Sequence, residues 1–333
     1  MKRGASGLSL VVGVRKPVGM SSHDVVNAVR RIFQEKRVGH MGTLDPLASG
    51  VLPICVGPAT RLDAYLTNHE KRYRVRIAFG RETTTDDAEG QTVAEAPVPA
   101  HFADEAFASA AVSALVGEHK QVPPAYSAIK VNGQTAYKLA RAGKDVQLEA
   151  RTISIFNARL EGVGENPESA QIYWDVDLDV SKGTYIRSVA RDLGRELGCP
   201  AHVAALERTQ AGRIVLDECV SLDTLESLKV QAALDPVRVL GVRFCFADDD
   251  NKTLENGGAL PADAVQLYEP LKPAPEDEAC ACSTSIERSC TPPRDGELVA
   301  VVQKNRLKAL YTYKDARANY VPACVFSEGI LRG

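Results

Sequence analysis

The sequence has no apolar run of membrane-spanning length, no internal repeat and no paired C-x2-C knuckle, and its charges nearly cancel. Lacking that run, it offers no bilayer-crossing helix, which needs about 20 consecutive apolar residues. The opening "MKRGASGLSLVVGVRKP" has a charged start and a short apolar stretch, but no small-residue cleavage site. It therefore reads as a first strand and not as a secretory leader. The eight cysteines are scattered over 333 residues, so reduced thiols in a cytoplasmic protein are expected, not a disulfide framework. Cys280, Cys282 and Cys290 have no evident fourth ligand, which argues against zinc.

A hydrophobic content of 44% and a charged content of 25% are those of a globular protein with ample core material. A net charge of −3 names no partner, but its distribution is uneven. The first 242 residues carry equal numbers of basic and acidic side chains, and the remainder is acidic, chiefly between Asp248 and Glu297. Basic residues cluster at Arg15–Arg37, Lys71–Arg76, Lys182–Arg195 and Lys304–Arg317. Such stripes suit a polyanion held at one face; as solvated element faces they would signify nothing.

Residues 8–14 read as a buried strand, and Ser22 as the cap of a helix carrying Val25, Val26, Val29, Ile32 and Phe33 on one side. "KRYRVRIAFG" (71–80) and "QIYWDVDLDVSKG" (171–183) alternate apolar and charged residues, as half-buried strands do. Residues 104–117 read as a helix, and "TYIRSVARDLGREL" as another with a buried stripe and Arg187, Arg191 and Arg195 on a different face. Residues 298–313 read as a hairpin turning at Lys304-Asn305-Arg306. A boundary is expected at 241/242. Residues 269–297 look like an exposed, acidic, Pro-rich insertion. The expected class is α+β: a mixed, mostly antiparallel sheet with flanking helices, then a small β-rich domain.

"GHMGTLDPLASGVLP" (39–53) has no regular period, and Asp45 is its only carboxylate. Pro46 biases Asp45 towards extended backbone, and the glycines admit a close approach. That arrangement suits a nucleophile or a base on the floor of a cleft; an Asp that merely closes its own turn has the same local sequence.

In order, the chain reads "KPVGMSSHDVVNAVRR", "RVGHMGTLDPLASGVLPICVGPATRL", "KRYRVRIAFG", "QVPPAYSAIKVNGQTAYKLARAG", "SKGTYIRSVARDLGRELG" and "HVAALERTQAG". This series, over roughly residues 8–240, resembles the TruB family of bacterial tRNA pseudouridine synthases. The resemblance implies guide-independent conversion of uridine 55 in the T loop of tRNA to pseudouridine, with no cofactor and no metal. It also implies a PUA-like C-terminal domain and, with the rest of the reading, a monomer. It makes Asp45 the catalytic nucleophile and Tyr73 the residue stacking on the target base. Tyr185, Arg187 and Leu206 would line the pocket, Arg187 holding the catalytic carboxylate. His40 would help to capture flipped RNA, and Lys130 sits beside a thumb-like segment at about 121–146.

The residue chemistry agrees with those roles. A carboxylate can add to sugar or base, or remove a sugar proton, and then be regenerated. A neighbouring Arg lowers a carboxylate pKa by roughly 1–3 units and grips it with two bonds. A base stacked in an RNA loop must first be flipped out and held by aromatic faces. Arg30, Arg31, Arg37 and Arg191 become candidate phosphate contacts, as do Lys304, Arg306 and Lys308 beyond the acidic insertion. Thr84, Glu207 and Ile214 depart from the usual family pattern. Three other readings compete. A guide-dependent H/ACA-type synthase would need partner-protein surfaces. A non-catalytic tRNA binder has no use for Asp45 with Arg187. A glycoside hydrolase needs a second placed carboxylate, and Asp24, Asp63 and Asp87 lack the loop context.

Overall fold

The computed structural model describes residues 6–67, 69–131, 133–143, 146–167, 171–272 and 286–333. Cys280, Cys282 and most of the expected insertion lie outside them. The chain begins with β1 (Leu10–Lys16), α1 (Ser22–Phe33), β2 (Val38–His40), β3 (Ala48–Val56), α2 (Asp63–Leu66) and β4 (Lys71–Phe79). There follow β5 (Arg81–Thr83), β6 (Thr92–Glu95), α3 (Glu105–Ser113), β7 (Gly117–Gln121), the short strands β8 (Lys130–Val131) and β9 (Gln134–Thr135), and α4 (Ala136–Arg141). Then come β10 (Arg151–Glu165), β11 (Ile172–Val180), α5 (Ile186–Glu196), β12 (Ala201–Ala211), β13 (Ile214–Val215), α6 (Leu222–Leu228) and α7 (Pro236–Leu240). The last part holds β14 (Phe244–Phe246), α8 (Lys252–Glu255), β15 (Leu260–Pro261), β16 (Leu298–Gln303), β17 (Arg306–Lys314) and β18 (Asn319–Leu331).

Helix α1 corrects the expected cap by one residue. Ser21, in extended backbone, accepts from the Asp24 amide, and the Asp24 carboxylate accepts from the Ser21 amide. That reciprocal pair is a capping box, and it leaves Ser22 inside the first turn, buried and available for another contact.

Two compact units form. One comprises Pro46–Ser49 with His69–Gln210. Its strands run in the order β12-β4-β11-β10-β7, and the β4–β11, β10–β11 and β7–β10 pairings are antiparallel. Alternation sorts the two faces of β4 and β11. Tyr73, Val75 and Ile77 sit opposite Leu178, Val176 and Trp174, and all six are buried. The buried indole of Trp174 donates to the Phe102 carbonyl at 2.8 Å and packs among Phe79, Phe102 and Phe107. On the opposite face, Arg72, Arg74 and Arg76 pair with Asp179, Asp177 and Asp175 at 2.7, 3.3 and 2.8 Å.

The other unit comprises Met1–Asp45, Gly50–Asn68 and Ala211–Gly333. Here β3 pairs antiparallel with β1 and with β2, and a separate five-stranded sheet runs β14-β16-β17-β18-β15. The β16–β17 hairpin turns at Lys304 and Asn305, both with positive φ. That is the conformation of a two-residue turn matched to strand twist. The second sheet starts just past the boundary read at 241/242, yet its core does not stop there. Val11, Cys55 and Leu62 share one buried cluster with Val237, Phe244, Leu310, Phe326 and Ile330. Apolar burial, not composition, sets the limits of this unit, and residues 211–241 belong with the C-terminal sheet.

Candidate active site

The loop after β2 is held by backbone and by one serine. Met41 is buried, and its amide donates to the Pro53 carbonyl at 2.9 Å. Gly42 has a φ of 103°, open to glycine and strained for other residues. The Ser22 hydroxyl then closes on Leu44 twice. It accepts from the Leu44 amide at 2.8 Å and donates to the Leu44 carbonyl at 2.9 Å. Ser22 and Leu44 are both buried, so these bonds exchange little with water. The carbonyl belongs to the peptide that leads into Asp45, which is half-buried. Asp45 is the last residue of its unit before the chain enters the other.

His40 ends β2 opposite Ile54 and is half-buried. Arg30 is engaged by its own turn: it donates to Asn27 Oδ1 at 2.9 Å and to the Lys36 carbonyl at 3.2 Å. Arg31 and Arg37 are exposed, as a phosphate contact requires. In the C-terminal sheet Lys304 is exposed at its turn and Arg306 packs against Gly329. Lys308 donates to the Ser327 carbonyl at 2.6 Å.

In the other unit, Tyr73 lies buried in β4 and Leu206 buried in β12. Tyr185 is the N-cap of α5. It lacks a side-chain cap bond, and its backbone N–H and C=O are both bonded by Gln121. Lys130 is exposed on β8, opposite Thr135.

Arg187 and Arg191, one turn apart on α5, are buried, contrary to a surface basic face. Arg187 donates to the Thr85 and Tyr126 carbonyls, each at 3.0 Å, and lies 3.4 Å from the Asp87 carboxylate. Arg191 pairs with Asp86 and Asp192, each at 2.9 Å, and donates to the Val122 carbonyl at 2.8 Å. These commitments take Arg191 away from solvent and overturn its expectation as a phosphate contact. The loop they grip is fixed in turn. Asp87 accepts from Thr85 at 2.5 Å, and the Ala88 amide donates to Val203 of β12. Burial pushes the Asp86 carboxyl up to about 6 against the pull of Arg191 and Arg187.

The settings of four residues were not legible in the sequence. Ser22 and Gln121 are uncharged and announce themselves only through the backbone groups they reach. Arg208 is wholly buried, where a count of charges expects a surface residue. The Lys71 ammonium is brought down to about 8 by burial, with Arg208 and Lys182 as cationic neighbours. Among the described residues no cluster of His, Cys, Asp and Glu could hold a metal ion.

Residues 30–186 match the family model described as TruB family pseudouridylate synthase, N-terminal domain. Residues 187–238 match the tRNA pseudouridylate synthase B C-terminal domain. The tRNA pseudouridine synthase B of Mycobacterium bovis (strain BCG / Pasteur 1173P2) is 47% identical over 264 residues, 78% of this chain and 86% of that protein. Its counterpart in Bacillus subtilis (strain 168) is 42% identical over 258 residues, 75% and 82% of the two chains. A crystal structure of a Cbf5-Nop10-Gar1 complex aligns with a TM-score of 0.61 at 20% identity, covering 98% of this chain and 85% of that one. At that identity the likeness shows the fold alone.

Proposed function

The chain belongs to the TruB family of pseudouridylate synthases and is an isomerase that makes pseudouridine; from that premise we propose that it converts uridine 55 in the T loop of tRNA, without a guide RNA, using Asp45 as nucleophile. The observation that carries the reading is the setting of Asp45. Its loop lies inside the matched segment, and the peptide entering it is clamped by a buried serine. A reacting carboxylate gains most from such fixed placement.

In the proposed reaction the uridine leaves its stack and its base is received by Tyr73, Tyr185, Arg187 and Leu206. The Asp45 carboxylate opens the bond between uracil N1 and ribose C1′, by addition or by taking a sugar proton. The base turns and C5 joins C1′; the C5 proton passes to water, water protonates N1, any sugar proton taken is given back, and the carboxylate is regenerated. His40, Arg31, Arg37, Lys130 and Lys304 are the proposed RNA contacts, with Arg30, Arg306 and Lys308 as partly engaged members of the same set. The enzyme is proposed to act as a monomer in the cytoplasm, with no cofactor. No helix among the described residues is long and apolar enough to cross a membrane.

An unmodified tRNA transcript tritiated at uracil C5 tests this, because closing the C5–C1′ bond expels the label into water. Wild type alone releases tritium, one label per turnover, and Asp45→Ala binds the transcript but releases none. Release by Asp45→Ala removes Asp45 as nucleophile. No release from wild type, with binding retained, removes the guide-independent reading.

A further inference from the structure

Strand β7 ends at Gln121, paired with Arg151 of β10, and the chain then leaves the sheet through two buried prolines, Pro123 and Pro124. The short β8–β9 strands and α4 follow, folded back on residues 127–129. The Tyr137 amide donates to the Ser127 carbonyl at 2.9 Å, and the Ala136 amide to the Ile129 carbonyl at 2.7 Å. Lys130, Lys138 and Arg141 are exposed on this segment, as is Tyr137, whose ring lies 4.8 Å from the Arg141 guanidinium. An exposed aromatic among cations suits the stacked bases and phosphates of RNA.

The root of the segment is gripped along one side by α5. Gln121 Nε2 donates to the Tyr185 carbonyl at 3.1 Å, and Gln121 Oε1 accepts from the Tyr185 amide at 2.9 Å. Ser188 and Arg191 both donate to the Val122 carbonyl, at 3.1 and 2.8 Å, and Arg187 donates to that of Tyr126 at 3.0 Å. Gln121 is buried, and its amide bonds both the N–H and the C=O of one residue, the carbonyl also accepting from the Val189 amide at 3.1 Å, so the Tyr185 backbone cannot shift without breaking both Gln121 bonds or moving Gln121. With no side-chain cap of its own, the N-cap residue of α5 is held by this amide, and the turns that follow by Arg187, Ser188 and Arg191.

We propose that Gln121 is a positioning residue that couples the seating of RNA on residues 122–131 and 133–143 to the placement of Tyr185. The inference rests on the reading of Tyr185 as a pocket residue. A load applied to the segment reaches α5 first through Gln121 and Val122, and so reaches the residue said to line the pocket. Reciprocally, a base held by Tyr185 steadies the segment.

The test is a double-mutant cycle with Gln121→Met and Tyr185→Leu, read by single-turnover release of tritium from saturating C5-tritiated tRNA transcript. Filter binding gives Kd, and far-UV circular dichroism and Tm report the fold. Gln121→Met keeps the side-chain length and removes both bonds. It is expected to lower the rate about tenfold, the equivalent of ~1.4 kcal/mol, with Kd changed by less than about twofold. Gln121→Glu retains an acceptor for the Tyr185 amide, and its rate should fall between the two. In the Tyr185→Leu background the effect of Gln121→Met should vanish, since residues acting as one unit are not additive.

A wild-type rate in Gln121→Met overturns the proposal, and so does an undiminished effect in the Tyr185→Leu background, the signature of a merely structural role. Should Gln121→Met fail to fold, Gln121→Glu decides alone: an intermediate rate at normal Kd supports the coupling, and a wild-type rate refutes it. A wild-type rate in Tyr185→Leu sinks the pocket reading itself, whatever Gln121 does.

Discussion

Ser22→Ala is the most direct probe of how the Asp45 loop is held. The change removes one oxygen and leaves the helix cap to Ser21 and Asp24. It deprives the Leu44 amide and carbonyl of their partners at 2.8 and 2.9 Å, both beside a buried residue. A buried polar group left without a partner costs about 1–3 kcal/mol. Two of them, less the relief of no longer burying a hydroxyl, give roughly 2–3 kcal/mol. Total stabilities run at about 5–15 kcal/mol, so the variant should still fold. Turnover should suffer more than folding, because a misplacement of about 1 Å at a reacting group can cost on the order of a hundredfold. Urea unfolding should show a lower midpoint with an unchanged slope, and tritium release a fall of at least about tenfold at near-normal tRNA affinity. Ser21→Ala serves as the control. It loses a cap, at about 1 kcal/mol, and should turn over normally. A Ser22→Ala protein with wild-type midpoint and rate would refute the clamp.

Two further outcomes follow from buried charge and from backbone. The Asp86 carboxyl is raised from its ordinary 3.8 to about 6, with burial the leading cause, so the folded protein holds that proton more tightly than the unfolded chain. Its contribution is full below 3.8 and lost as pH rises through 6. The stability of wild type minus that of Asp86→Asn should therefore shrink between pH 4 and pH 7, by at most roughly 3 kcal/mol at 1.36 kcal/mol per pKa unit; a flat difference across that window refutes it. At the β16–β17 turn Lys304 has a φ of 50°, which a glycine adopts without strain. Lys304→Gly should gain about 0.5–1 kcal/mol of stability and weaken tRNA binding. Stabilisation with unaltered affinity at low salt would remove Lys304 from the RNA contacts.

Patterns of local period were legible in the sequence, and so was the series of motifs. The alternation of 71–80 and of 171–183, the turn at Lys304-Asn305 and the helical stripe after Tyr185 all appear where their periods placed them. These depend on neighbours within a few positions. The misplaced helix cap shows how fine the limit is: Ser21 and Ser22 both suit the position, and only the reciprocal bond with Asp24 separates them. What could not be read is whatever depends on register between distant segments. Nothing near Arg72 in the sequence names Asp179, which lies 107 residues away and meets it through the pairing of β4 with β11.

The same limit decides which cations are available to a polyanion. Lys71–Arg76 puts four cations on one strand, and Arg187, Arg191 and Arg195 recur along one helix. Register turns the first into a ladder of ion pairs with β11. Burial sends Arg187 and Arg191 inward to Asp87 and Asp86, and Arg195 pairs with Glu82 at 2.6 Å. A guanidinium already matched to a carboxylate offers a phosphate little, because binding would have to break that pair or carry its negative partner along. Arg31, Arg37, Lys130, Lys138 and Lys304 instead present exposed side chains from turns, helix faces and short strands. These two basic stripes thus serve mainly to build and brace the sheet and the Asp86–Asp87 loop, and the exposed cations proposed as RNA contacts lie elsewhere in the chain.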